Sequence, residues 1–382
     1  MKKISVIIPV YHPKKEYIDR LLDSIIRQTI GIENIEIIMV SDGDQTEETK
    51  TILSVWEEKY PDNIMLIYYE KNRKPGYARS LGIQYASGAF VAFADQDDWL
   101  YLHMYELLYG KALENNCEIA GGFSTRDFEY TYPKVGSVPN GKEEKVWDIQ
   151  TEEERKYFLM HKESGGYWCS IYQRDFLLKN DLYFPSDLTF DDNFFGGLCM
   201  YYVNRMVVTG EYVYHWYVNK NSISMKVDSE TYFDRLAVEQ LKVNVLWKRG
   251  FFGKYKDEIE IHFLKLFYFN TMHAFFVKLN YIPFGHYIEM CKVIRERFPD
   301  YRNNPYLSSE NEELKKYSWK YYPIVFNYFS VVKKDEEKIR MLESFPERVR
   351  KLSWLDTIDG DLTQDEIIGF RVVYLLLCAI IG

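Results

Sequence analysis

Cysteine is scarce and badly placed for cross-linking. The 5 cysteines (Cys117, Cys169, Cys199, Cys291 and Cys378) are scattered and odd in number, and no pair has CxxC spacing. That excludes a zinc framework or a disulfide scaffold and fits a reducing cytoplasm. Positive charge is in deficit too: a net charge of −9 excludes nucleic-acid binding by the chain as a whole. No apolar run is long enough to span a bilayer, and the apolar Val372 to Gly382 falls well short. Lys2-Lys3 followed by Ile4 to Val10 imitates a signal peptide. The run is short and ends in Pro9-Val10-Tyr11-His12-Pro13, so it reads as a buried first strand. A phosphate loop is missing. Gly136 to Lys142 approaches GxxxxGK, but Glu143 stands where Ser or Thr is required and no apolar strand precedes it. Internal repeats and low-complexity tracts are absent.

What the chain has is bulk and aromatic surface. Its 382 residues are 47% apolar and 17% aromatic, enough for a large core and for two domains, or for one domain with an extension. Aromatics serve cores first, and they also suit sugar-binding surfaces, where a ring packs on a pyranose face. The organising stretch is Asp95-Gln96-Asp97-Asp98-Trp99, after the apolar Ala89 to Ala94. Carboxylates at a strand end repel unless something positive lies between them, and a divalent cation takes oxygen ligands. The plain alternative is a solvated acidic turn, with Asp98 capping a helix from near Tyr101.

Periodicity predicts strands at 4–10, 35–40, 64–69 and 89–94, alternating with helices at 16–28, 47–60 and 76–86. This is an α/β pattern: a mostly parallel sheet covered on both faces, with ligands bound beyond the carboxyl ends of the strands. Tyr11, Asp42 and Asp95 to Asp98 all fall at those ends. A helix at 101–115 and a strand at 118–123 follow, then a loop over 125–145 and a helix near 152–160. Gly165-Gly166-Tyr167-Trp168 and the acidic pair in Phe190-Asp191-Asp192-Asn193 come next. Two short strands are expected at 205–208 and 212–217, the second holding His215. A lone histidine is more often structural than a ligand. From Thr231 the pattern turns helical and aromatic (232–247, 258–279, 284–298, then short helices over 311–382), which divides the chain into 1–230 and 231–382.

Ile4 to Tyr11 (ISVIIPVY), Ser41-Asp42-Gly43, Ala78 to Gly82 (ARSLG) and Phe93 to Trp99 (FADQDDW) stand in the order and spacing of family 2 glycosyltransferases with the GT-A fold. Phe190 to Asn193 resembles that family's Glu-Asp catalytic pair, and Tyr214-His215-Trp216-Tyr217 through Ser222-Ile223-Ser224 its closing segment. Each motif is loose alone; together and in order they are specific. The resemblance covers Met1 to Met225, and the helical remainder matches no family.

The resemblance implies a GT-A domain with a C-terminal, mostly helical extension, and an inverting transfer of one sugar from a nucleotide-sugar, a UDP-sugar first. Asp42 would accept from the uracil imide, with Pro9, Val10 and Tyr11 lining the base. Arg79 would approach the nucleotide, and Asp95 would bind ribose or metal. Gln96, in place of a small residue, would crowd the site or contact the sugar. Asp97 would be the principal ligand of Mn²⁺ or Mg²⁺, with His215 assisting. Asp191 replaces the usual Glu, and Asp192 keeps the position of the base that deprotonates the acceptor hydroxyl. Gly166 and Trp168 would meet that acceptor, a glycan or lipid-linked glycan in surface polysaccharide assembly at the inner membrane face. The chain lacks the Gln-x-x-Arg-Trp motif of processive relatives. Two other readings stand beside this one: a catalytically silent GT-A module, and a sugar-1-phosphate nucleotidyltransferase, which would want a glycine-rich loop after strand one. The helical region after Thr231 is expected to serve acceptor access, a homodimer interface or peripheral contact with anionic lipid, its aromatics otherwise packing a helical core.

Overall fold

The structure is a computed structural model that describes residues 2–131, 136–218, 229–271 and 284–307. Two compact units divide the chain, Met1–Lys226 and Val227–Gly382. The expected segment at 222–224, the end of the helix expected at 258–279, the short helices of 311–382 and the apolar tail 372–382 lie outside the described residues.

The described part of the first unit is built on a 9-stranded sheet. Its strands are β1 (Ile4–Val10), β2 (Ile35–Asp42), β3 (Ile64–Tyr69), β4 (Phe90–Phe93), β5 (Trp99–Leu100), β6 (Ile119–Asp127), β7 (Lys145–Asp148), β8 (Ser170–Gln173) and β9 (Arg205–Tyr217). They run in the order β3-β2-β1-β4-β8-β6-β9-β5, with β7 paired to β9. The β3-β2-β1-β4 block is parallel, and β8 joins it antiparallel to β4. Every residue of β1 is buried. Parallel strands are covered on both faces, which is why this one reads as an unbroken apolar run.

Three helices connect the parallel strands: α1 (Lys15–Ile26), α2 (Glu47–Lys59) and α3 (Lys74–Tyr85). Helix α1 buries Ile18, Leu21, Leu22 and Ile25, the i, i+3, i+4, i+7 stripe of its sequence. Helix α2 starts at Thr46, whose side chain accepts from the Thr49 N–H at 3.3 Å. Pro75 occupies the first turn of α3, where no helical N–H is lost. The remaining helices of this unit are α4 (Met104–Glu114), α5 (Glu152–His161), α6 (Arg174–Lys179) and α7 (Asp191–Tyr202).

Two expectations are corrected. Asp98 caps no helix: α4 begins at Met104, with His103 before it. The Asp98 carboxylate instead accepts from the Tyr217 N–H and the Tyr214 hydroxyl, both at 2.8 Å. The two short strands are a single β9. Its register against β6 shifts around Phe123, so the Thr209-Gly210 stretch that reads as a turn is absorbed in an irregular ladder.

The second unit is helical where described: α8 (Ser229–Lys248), α9 (Phe252–Phe263), a π-helical turn (Leu264–Phe269) and α10 (Phe284–Arg297). Phe263, Phe267, Tyr268 and Phe298 are buried, so many of the aromatics pack a core. Two carboxylates enter that core with partners: Glu260 accepts from Asn304 at 2.9 Å and Glu258 from the Tyr306 hydroxyl at 2.5 Å. Among the described residues no helix is long and apolar enough to cross a membrane.

Candidate active site

The carboxyl ends of β1, β2 and β4 carry the site. At the end of β2, Asp42 is 3% exposed, and its Oδ1 accepts from the Tyr69 hydroxyl at 2.6 Å and the Arg73 N–H at 2.7 Å. Gly43 has φ +72°, and a Cβ there would lie 2.1 Å from the Asn72 nitrogen. Only glycine allows this turn to press against the 71–72 segment, which brings the Arg73 N–H to Asp42. Pro9 and Val10 are buried within β1, while Tyr11 remains 43% exposed.

Gln96 takes a role its sequence position did not suggest. Its side-chain amide accepts from the Tyr11 N–H at 3.0 Å and donates to the Tyr11 carbonyl at 2.9 Å. A primary amide can pair with one residue's backbone as a neighbouring strand would. Gln96 thereby holds the exposed Tyr11 to the acidic turn, instead of crowding that turn.

The acidic turn is closed by the Asp98 N–H on the Asp95 carbonyl at 3.1 Å. The positive charge expected near it comes in part from the chain itself. Arg79 is 4% exposed and donates through Nη2 to Asp95 Oδ1 at 2.6 Å and through Nη1 to Asp191 Oδ2 at 2.5 Å. Each Nη group thus gives a hydrogen bond to a carboxylate, and the guanidinium positions the two acids. Tyr167 packs beside it, its hydroxyl 3.2 Å from Asp95 Oδ1 and its ring centroid 4.9 Å from the guanidinium. Arg20, among the rings of Tyr17, Trp99 and Tyr217, donates to the Asp97 carbonyl. Asp98 is 1% exposed, and its carboxyl is pushed well up by burial and by Asp97 and Asp95.

The second acidic pair is brought in by the loop before α7. A Cβ on Gly76 would lie 2.1 Å from the Pro185 carbonyl oxygen and 3.1 Å from Asp191. Glycine in the first turn of α3 thus lets the loop approach closely enough for Asp191 to reach Arg79, one turn along the same helix. Arg73 clamps the loop, donating to Ser186 at 3.0 Å and Asp187 at 2.9 Å. Phe190 sits at φ 62°, ψ 25°, a left-handed conformation unusual for a bulky residue, immediately before the pair. Asp191 is buried at 5% exposure; Asp192 is partly exposed. Asp192 lines a cavity of about 180 Å³ together with Gly165, Gly166 and Tyr167. Trp168 does not line it; the indole is half-buried against the sheet core, 4.8 Å from the Tyr167 ring.

His215 is 4% exposed, stacked with Trp99 at 4.9 Å and Tyr101 at 3.9 Å. Its Nδ1 lies 3.0 Å from Asp127 Oδ2 and 3.0 Å from Thr125 Oγ1. Packing and that pairing hold the ring in place. Among the described residues no group of three His, Cys, Asp or Glu side chains is arranged to hold a metal ion. Asp95 and Asp97 offer two carboxylates, a set that suits Mg²⁺-like ions completing their shell with substrate phosphates and water.

Sequence reasoning missed Asp44, Arg20, Tyr167 and Tyr214. Asp44 is 2% exposed and accepts from the Thr49 hydroxyl at 2.6 Å and the His12 N–H at 3.0 Å, joining the first two strand ends. Burial pushes its carboxyl up, but the hydrogen bonds from Thr49, Thr46 and His12 outweigh that and hold it low. Thr46 and Thr49 at helix-start spacing were the only signal for it. Arg20 sits on an amphipathic helix that reads as packing, and Tyr167 and Tyr214 lie in stretches whose neighbours Gly166, Trp168 and His215 took the assignments.

Two expected outcomes follow from Arg79. Arg79→Met leaves Asp191 buried without its counter-charge and should cost about 3–5 kcal/mol in denaturant unfolding; Asp95, about a third exposed, contributes little to that loss. Adding Asp191→Asn should recover part of it. The second concerns pH. Burial, with Asp192 and Asp95, pushes the Asp191 carboxyl up to about 6 against the pull of Arg79. The folded state therefore binds this proton more tightly than the unfolded chain does. The resulting stabilisation is full below the unfolded value of 3.8 and is lost as pH rises through about 6. Turnover should run the other way, rising through an acid limb near pH 6 as the ionised carboxylate engages Arg79. The limb should flatten in Asp191→Asn.

Residues 5–179 match the family model Glycosyl transferase family 2. The chain is 29% identical over 223 residues to the uncharacterized glycosyltransferase YibD of Escherichia coli K12, covering 58% of this chain and 63% of that one. It is 25% identical over 227 residues to the poly(ribitol-phosphate) beta-glucosyltransferase of Bacillus spizizenii, covering 59% and 34%. The first curated relatives are thus spanned over less than two thirds of their length. In three dimensions the chain is similar to S. aureus TarS 1-349 in complex with UDP-GlcNAc, with a TM-score of 0.52, 18% identity, and 97% and 90% of the two chains covered. That likeness is one of fold. Strand-end acids, a matching family model and relatives that are glycosyltransferases converge: residues 5–179 of this chain form a glycosyl transferase family 2 domain, on a fold similar to that of TarS.

Proposed function

We propose that the protein transfers one sugar from a UDP-sugar to a hydroxyl of a glycan or lipid-linked glycan, with inversion and with a divalent ion. The observation that carries this reading is the Arg79 bridge. A single buried guanidinium ties Asp95 of the acidic turn to Asp191, whose chain neighbour Asp192 opens on the cavity. Donor-side and acceptor-side acids are thereby held at one distance from each other, the geometry a displacement needs. The relatives' names, among them a minor teichoic acid biosynthesis protein and a poly(ribitol-phosphate) beta-glucosyltransferase, support an acceptor in surface polymer assembly.

In this reading Tyr11 stacks on the base and Asp42 accepts from its imide. Asp95 and Asp97 would hold Mn²⁺ or Mg²⁺, which when bound would offset the charge of the leaving diphosphate. Asp192 takes the proton of the acceptor hydroxyl while that oxygen bonds to the anomeric carbon and the bond to the diphosphate oxygen breaks. Gly165 and Gly166 bring backbone close to the acceptor. Trp168 serves by packing against Tyr167. The helical unit serves acceptor access, oligomerisation or contact with the membrane surface. A panel of UDP-sugars, incubated with Mn²⁺ and read by released UDP, tests the reading. If no nucleotide sugar is bound or hydrolysed, with or without divalent ions, the silent GT-A module replaces it.

A further inference from the structure

One cation in the cavity has no part in the reaction as described. Lys162 follows α5, its N–H bonded to the Phe158 carbonyl at 2.9 Å. Its side chain is half-buried and lines the cavity of about 180 Å³ with Asp192, Ser164, Gly165 and Gly166. Among the described residues the Lys162 ammonium makes neither a hydrogen bond nor an ion pair. Its acidic chain neighbour, Glu163, is taken by Lys142. Lys156, on the same helix, is paired with Glu153 at 2.8 Å.

An ammonium partly drawn out of water without a partner is less well solvated, and an incoming anion relieves it. A neutral hydroxyl needs a base and has no use for a cation lining the same cavity as that base. We propose that Lys162 receives an anionic group of the acceptor, so that the substrate is a phosphorylated or carboxylated glycan and not a neutral one. This rests on the reading of the cavity as the acceptor site. The space holds about six waters at liquid density, room for one small charged substituent and the hydroxyl it accompanies. The groups facing Lys162 leave the assignment simple. Burial pushes up the phenols of Tyr167 and Tyr172 and the Cys199 thiol, all of which stay neutral near pH 7. Asp192 is the one acid among the lining residues. Burial also pulls the Lys162 ammonium down to about 8, with Cys199 opposing, so anion binding should fade as pH passes that value.

Ligand-observed NMR on the full chain with UDP present tests this with three probes: glucose 6-phosphate, glucuronate and glucose. The wild type should bind at least one charged sugar about tenfold or more tightly than glucose, and whichever is preferred names the anion. Lys162→Met should abolish the preference and leave UDP binding unchanged, while Lys162→Arg should retain it. Should the methionine variant misfold, Lys162→Gln serves in its place. A wild type without preference for anions, or a preference that survives loss of the charge, overturns the proposal. If Lys162 acted only on Asp192, its loss would lower kcat equally for charged and neutral acceptors and leave their KM values alone. Because binding is read without turnover, a protein that prefers anions yet hydrolyses no UDP-sugar would refute the reaction, not this site.

Discussion

Asp192→Asn is expected to cut kcat by at least roughly 10²-fold while leaving donor affinity nearly unchanged, since a positioned general base contributes about that much. The choice between the two adjacent acids rests on what each carboxylate touches. Asp191 is buried and committed to Arg79 at 2.5 Å, so a proton placed there would break the bridge to Asp95. Asp192 is partly exposed and lines the cavity. Asparagine keeps its size and its place in the first turn of α7 and removes only proton acceptance. Steady-state transfer with UDP titrated by calorimetry reads both quantities. Near wild-type turnover in the variant would move the base elsewhere, Asp191 first.

Asp97→Ala is expected to abolish transfer and to remove any difference in UDP affinity between buffer with Mn²⁺ and buffer with chelator. Asp95 is already engaged by Arg79 and by Tyr167, and Asp97 is the second acid of the D-x-D spacing, the position assigned as principal ligand. His215 should matter much less. Its Nδ1 is held by Asp127 and Thr125, and two aromatic rings stack on it, so His215→Gln should weaken folding more than metal response. UDP titrations of wild type and both variants, with and without chelator, decide the matter. Equal UDP binding under chelation by the wild type, with turnover intact, sinks the metal assignment.

The acidic turn illustrates how sequence and fold share the argument. Repulsion among Asp95, Asp97 and Asp98 was legible in the letters, and so was the need for a positive charge. That part of the charge comes from Arg79 was not, because Arg79 reaches Asp95 only after α3 packs on the sheet and Asp191 arrives from 112 residues further on. Gln96 is similar. As a letter it is an oversized substitute between two acids, and only the approach of β1 to β4 places the Tyr11 backbone in front of it.

From residue order alone came the alternation of apolar strands with helices up to Ala94, hence the parallel block, the strand ends and the motifs that mark the family. These are local: a buried parallel strand is a run, an amphipathic helix is a stripe, and both survive in one dimension. The later half of the first unit was less legible. Strands β5, β7 and β8 have 2, 4 and 4 residues, too short for a period to register, and β9 hides a register shift. What only the tertiary structure decided was partnership. It decided that Asp191 is held by Arg79, that Asp192 and Lys162 line one cavity, that Trp168 packs against Tyr167, and that His215 stacks with Trp99 and Tyr101. Such pairings join residues tens of positions apart, and no local pattern records which charge the folded chain brings to which.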